Sequence, residues 1–224
     1  MSQWLRTHVP QKRTIDDSIV AYGDRNTLTN NNFDLLKDAH NDARMYLQAA
    51  NNYLTQQSIP LYNVWFGSVS NTRFTTVEDN FQETYSETSK THVYNFLPAN
   101  MCPANWLAHV DKVLLGKKQH VINICPLFFT STDKVVTLVH EMTHDTSATQ
   151  DLCYGQKECK NLAKNNADLA VDSAENYALF AKDAYLQLRG SEPPNKKRKP
   201  LKSTVQHWNL LIGLLKSELI LIRN

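Results

Sequence analysis

His140-Glu141-Met142-Thr143-His144 has the form H-E-x-x-H. On a helix, positions i and i+4 share a face about one turn apart, so two imidazoles there can grip one metal ion from the same side. Glu141, beside the first histidine, can reach a water on that ion as general base. Zinc suits imidazole nitrogen and keeps a position open when three protein groups hold it. The preceding segment, Lys134-Val135-Val136-Thr137-Leu138-Val139, supplies an apolar stripe that buries such a helix against a core. Asp133 or Thr132 is the expected N-cap, and the helix is expected from about Thr132 to Thr146. The pattern fixes only three positions, and a helix with two surface histidines satisfies it as well.

Two histidines do not complete a catalytic zinc site; a third protein ligand is needed. The segment from Asp145 to Gly155 holds no third histidine. Instead, Ala148-Thr149-Gln150-Asp151-Leu152-Cys153-Tyr154-Gly155 resembles the G-T-x-D-x-x-Y-G motif of the aspzincins, the deuterolysin and peptidyl-Lys metalloendopeptidase family. The resemblance implies that His140, His144 and Asp151 bind one Zn2+ ion. It also implies that Glu141 is the general base and that Tyr154 steadies the reaction's oxyanion. These roles suit the chemistry: a carboxylate is a good zinc ligand, and a phenol O–H aimed at developing negative charge stabilises it. Ala148 stands where the family has Gly, and a positive φ there would strain it.

The resemblance continues in Tyr62-Asn63-Val64-Trp65-Phe66-Gly67-Ser68, in Arg73-Phe74-Thr75-Thr76-Val77 and in Asn80-Phe81-Gln82. It extends to Val121-Ile122-Asn123-Ile124-Cys125-Pro126-Leu127-Phe128-Phe129, then to Asn166-Ala167-Asp168 and Glu175-Asn176-Tyr177-Ala178-Leu179-Phe180. It thus spans about Phe33 to Lys182. It implies a zinc-dependent metalloendopeptidase, a hydrolase acting on a protein or peptide substrate, with secretion and disulfide bonds. Lysine-specific relatives carry two acidic residues on the late helix that favour a basic residue after the cut. Counted without gaps from Asp151, these fall on Glu175 and Ala178. Glu175 is therefore the expected substrate-binding residue for a Lys or Arg preference, with Asp172, one turn earlier, as its helper. The family implies a Cys102–Cys125 disulfide. Cys153 and Cys159 flank the Tyr154-Gly155 turn; they form either a short bridge clamping that segment or two free thiols.

The 224 residues suit one domain with small terminal additions, and 42% apolar content is enough for a core. A net charge of +2 gives no bulk attraction to nucleic acid, and no nucleic-acid partner is expected. No run of about 18 or more apolar residues marks a transmembrane helix. Met1-Ser2-Gln3-Trp4-Leu5-Arg6-Thr7-His8 has early charge and no apolar core, so no ordinary signal peptide is expected. Disulfides with no such leader leave three origins open: a mature fragment, export by a signal-independent route, or an intracellular relative with reduced cysteines.

The expected organisation is an irregular N-terminal extension over residues 1–30 and a peptidase domain over 31–190. A basic Pro-bounded linker over 191–201 and a C-terminal helix over 202–224 complete it. The domain is expected to be α+β: mostly helical and zincin-like, with a small sheet beside the H-E-x-x-H helix. Leu36, Ala39, Ala43, Leu47, Ala50 and Leu54 recur at helical spacing and predict a helix from Phe33 to Leu54, capped by Asn32. A second helix is predicted from Arg73 to Tyr85. The runs Tyr85–Tyr94 and Val121–Phe129 read as strands of one hairpin or small sheet. Later helices are predicted over Gln156–Asn165 and Asp168–Arg189, with Gly190 as the stop. His40 reads as a surface histidine and His120 as a strand-edge residue outside the chemistry. Lys196-Lys197-Arg198-Lys199 resembles a nuclear-import signal, though solvated loops carry such tetrads too. The Thr204–Ile222 helix either docks on the domain or serves as a handle for a secretion partner, an immunity protein or a membrane surface. Two other functions fit the same sequence. One is a toxin or effector protease aimed at a single host or rival-cell protein, and the other a non-catalytic binding module on this fold.

Overall fold

The computed structural model describes residues 11–14, 19–56, 59–111 and 121–190. The described residues to Arg189 form one compact unit. The basic stretch with Lys196–Lys199, the helix expected over 202–224 and His120 lie outside the described residues.

Strands β1 (Gln11–Thr14), β2 (Ile19–Gly23), β3 (His92–Phe96), β4 (Ala108–Val110) and β5 (Val121–Ile124) make one sheet in the order β1-β2-β3-β5-β4. β2, β3 and β5 run parallel, and β1 and β4 are antiparallel to their neighbours. Residues 1–30 are therefore not an irregular extension throughout, because their strands pair into the sheet. Of the two forms expected for the strands at Tyr94 and Val121, hairpin or small sheet, the small sheet is found, with β3 and β5 as parallel neighbours. Tyr85 to Glu87 belong to a helix, and strand begins only at His92. In β3, His92, Tyr94 and Phe96 are buried while Val93 and Asn95 are partly exposed, the alternation of a strand with one covered face. The strand at Val121 stops at Ile124, because Pro126 starts a 3-10 turn over Pro126–Thr130.

Helices α1 (Asn30–Thr55), α2 (Ile59–Phe66), α3 (Asn71–Glu87), α4 (Lys134–Ser147), α5 (Gly155–Asn165), α6 (Ala167–Val171) and α7 (Ala174–Gly190) account for most of the described chain. The domain is α+β and mainly helical, with its small sheet beside α4. α1 buries Phe33, Leu36, Ala43, Leu47, Ala50 and Leu54 along one stripe. Its cap is Thr29, not Asn32: the Thr29 Oγ1 accepts the Asn32 N–H at 3.1 Å, and Asn32 is already inside the first turn. His40 lies on that buried stripe at 1% exposure, with Nδ1 2.7 Å from the Tyr94 hydroxyl. The expectation of a surface histidine is corrected, since an imidazole enters a core when a buried hydroxyl satisfies it.

Phe66, Phe81, Tyr177 and Phe180 pack as an aromatic cluster with centroids from 5.0 to 6.5 Å apart. It joins α2, α3 and α7. Gly67 ends α2 at φ +72°, and a Cβ there would meet the Ala163 carbonyl oxygen at 2.4 Å, so α2 and α5 approach closely only with glycine. α4 crosses α3 through Thr146 and Thr84, whose hydroxyls are 2.7 Å apart. Its other flank meets β4.

Candidate active site

α4 places His140 and His144 one turn apart, as the spacing requires. Asp133 occupies the N-cap position but makes no side-chain cap bond; its own N–H is taken by Ser131 Oγ at 3.0 Å. The helix ends at Ala148, with φ 52° and ψ 32°. That left-handed cap reverses the chain so that residues 149–154 return beneath the two rings. The Ala148 backbone is thus in the region that favours glycine.

The returning segment is tied down on three sides. Gln150 forms a parallel bridge with Ser173: its N–H donates to the Asp172 carbonyl at 2.7 Å, and its carbonyl accepts from Ala174 at 3.1 Å. Cys153–Cys159 is a disulfide across the turn, as is Cys102–Cys125 between the 3-10 turn after β3 and the end of β5. Asn176 is fully buried and donates to the carbonyls of Trp65 at 2.5 Å and Cys159 at 3.1 Å. The bridge at Ser173 also breaks the single late helix predicted over Asp168–Arg189 into α6 and α7.

The effect is to bring His140 Nε2, His144 Nε2 and Asp151 Oδ1 within 4.8 Å of one another. His140 Nε2 is 2.9 Å from Asp151 Oδ1 and 3.0 Å from His144 Nε2, and His144 Nε2 is 3.2 Å from Asp151 Oδ1. Ligands about 2.0–2.1 Å from a tetrahedral zinc ion stand roughly 3.3 Å apart, close to this triangle. The hydrogen bonds behind the rings make the same point. The Thr149 carbonyl can only accept, so His144 Nδ1 donates to it at 2.7 Å. His140 Nδ1 lies 3.1 Å from the Glu175 carboxylate and donates to it. Both Nε2 atoms then face each other and a carboxylate, which calls for positive charge between them. The donor set fits a divalent cation.

The electrostatics agree. Burial pulls the His140 imidazole down, but hydrogen bonds to Asp151 and Glu175 outweigh it and leave it pushed up to about 9. The His140 hydrogen bond holds Asp151 well below the usual carboxylate range, against its partial burial and with help from Tyr154. Burial, then the His140 charge, lowers His144. Burial pushes Glu141 up to about 7, opposed by His140 and reinforced by Asp151. The Val110 backbone of β4 gives Glu141 a hydrogen bond. Tyr154 is 62% exposed, its ring stacked on His140 at 6.0 Å and its hydroxyl bonded to Asp151. Burial of the hydroxyl and that bond raise its phenol above the ordinary range.

Glu175 and Asp172, the two expected substrate-binding residues, lie in different surroundings. Glu175 turns both oxygens inward, Oε2 to His140 Nδ1 and Oε1 to the Gly155 N–H at 3.2 Å. Asp172 is exposed, its carbonyl engaged by Gln150, and its charge raises the Tyr177 phenol further. Ala178, where a second acidic residue falls in lysine-specific relatives, is fully buried. Two contributors went unread in the sequence. Thr149 belongs to the quoted motif, but its carbonyl carries no side-chain signature. Val110 acts through its backbone alone.

A family described as "Lysine-specific metallo-endopeptidase" matches residues 50–182, which contain all of these groups. The chain is 31% identical over 150 residues to the peptidyl-Lys metalloendopeptidase of Armillaria mellea, covering 63% of this chain and 41% of that protein. It is 28% identical over 157 residues to the peptidyl-Lys metalloendopeptidase of Pleurotus ostreatus, covering 66% of this chain and 89% of that one. The fold is similar to that of a zinc peptidase from Grifola frondosa, with a TM-score of 0.60 at 28% identity over 69% of this chain and 96% of that one.

Proposed function

The chain belongs to the aspzincin family of metallo-endopeptidases, and on that premise we propose that it is a zinc-dependent endopeptidase with His140, His144 and Asp151 as metal ligands. The observation that carries this reading is the convergence of two imidazole nitrogens and a carboxylate oxygen whose rings are fixed from behind by Thr149 and Glu175. Zinc, when bound, supplies Lewis acidity to the scissile carbonyl and acidifies water at its open position. Glu141 accepts the proton of the attacking water and returns it to the leaving amine nitrogen. Its burial beside His140 suits that work, because a carboxylate near neutrality both takes and gives a proton. Tyr154 donates a hydrogen bond to the oxygen that gains negative charge. Its exposed ring lies against His140 with the hydroxyl already at Asp151, within reach of the same centre.

The finer part of the proposal is a preference for lysine or arginine after the cut. Its support is the family's description and the names of the two relatives. Export from the cytosol belongs to the same reading, supported by the two disulfides. N-terminal mapping of the fragments made by wild type and Glu141→Ala tests the whole. New N-termini that begin with Lys or Arg and vanish in the variant are the expected result. Fragments made equally by both proteins would remove Glu141 from the chemistry, and apolar new N-termini would remove the basic preference.

A further inference from the structure

Glu175 stands in the first turn of α7, two residues after the Ser173 bridge that holds the Asp151 segment. Its side chain is 14% exposed. One oxygen accepts from His140 and the other from the Gly155 N–H. We infer that Glu175 is a positioning residue, aiming the His140 ring at the metal position with one oxygen and holding the Tyr154-Gly155 turn with the other. The inference rests on the endopeptidase reading and names how its centre is kept in shape.

Each half has its own physical reason. A ring nitrogen that donates to a carboxylate fixes the ring's tautomer and rotation and makes the opposite nitrogen a better ligand. His140 Nε2 accordingly points at Asp151 Oδ1 and His144 Nε2. Gly155 is the first residue of α5, and Tyr154 at the N-cap position makes no side-chain cap bond. A free N–H at a helix start needs an acceptor and favours a negative one, which Glu175 provides from another helix. The next residue, Asn176, is pinned to the carbonyls of Trp65 and Cys159, so the carboxylate is delivered from a rigid base. Both oxygens are turned into the protein and the side chain is only 14% exposed, so its first work is on the centre itself. Its loss should therefore weaken the centre for every substrate alike.

The test compares wild type, Glu175→Gln and Glu175→Ala in two measurements. Zinc affinity is read by competition with a chromogenic chelator, and kcat/KM at saturating zinc is read on peptides with Lys, Arg, Ala or Leu after the cut. Glu175→Ala is expected to bind zinc about 10–100-fold more weakly and to lose kcat/KM by a common factor on all four peptides. Glu175→Gln, which keeps one acceptor oxygen, should fall between. Zinc affinity within about twofold of wild type would overturn the inference. A loss confined to the Lys and Arg peptides would overturn it too, making Glu175 a specificity residue. If Glu175→Ala does not fold, Glu175→Gln is judged by the same criteria. If wild type binds zinc but cleaves none of the peptides, the endopeptidase reading falls, and the zinc measurement still judges Glu175.

Discussion

His144 donates from Nδ1 to the carbonyl of Thr149, 2.7 Å away, while the Thr149 hydroxyl donates to Thr143 Oγ1 at 3.0 Å. The residue that lets Thr149 fold back so soon is Ala148, at φ 52°. A left-handed backbone costs an L-residue roughly 1–2 kcal/mol, and glycine's extra freedom in the unfolded chain offsets about 0.5–1 of that. Ala148→Gly is therefore expected to raise the unfolding free energy by roughly 0.5–1 kcal/mol with zinc affinity unchanged. Urea denaturation with zinc present reads this, and a lower midpoint would mean that the turn is not strained.

Glu141→Gln keeps the shape of the side chain and removes its basicity. It should retain one zinc per chain and lose turnover by about 10²–10⁴-fold. Metal content and casein hydrolysis measured on one preparation check both halves. Strong casein digestion by this variant would end the general-base assignment.

Tyr154→Phe removes a hydroxyl and leaves the ring that stacks on His140. A donor used only in the transition state lowers kcat without raising KM, so kcat should fall about 10²-fold or more at nearly constant KM. A rise in KM at constant kcat would instead make Tyr154 a substrate-binding residue.

Removing zinc with a chelator should destabilise the domain, because an ion that binds the folded chain and not the unfolded one adds its binding free energy to the fold. At zinc concentrations about a thousandfold above Kd, binding stabilises the folded state by roughly 4 kcal/mol. For a domain of this size that is an upward Tm shift on the order of 10 °C. His144→Ala should abolish the shift. A wild-type Tm indifferent to zinc would argue against a metal centre at these residues.

What could be read from the chain alone depended on how local the cause was. The α1 stripe from Leu36 to Leu54 and the His140–His144 spacing are set by helix geometry, which sequence separation reports directly. Asp151 and Tyr154 were legible through a motif. β2 was not, because only Ile19 and Ala21 carry its buried face and its partner β3 is more than sixty residues away. The burial of His40 is hidden from the sequence for the same reason: the Tyr94 hydroxyl that makes it tolerable comes from that distant strand. Glu175 was found by counting along the chain, yet which way a carboxylate turns depends on neighbours that counting does not see.

The hydrogen bonds between Gln150 and the Asp172–Ala174 stretch also impose an order in time. Synthesis runs from the N-terminus at about 5–20 residues per second, so both histidines, Asp151 and Tyr154 exist before the stretch that braces them. A chain on the ribosome carries a full set of reactive groups with no frame. We expect nascent chains stalled before Ser173 to show no zinc-dependent protection from an added protease, and chains released after α7 to show it. The ligand set is therefore framed only once the Asp172–Ala174 stretch has emerged and paired with Gln150.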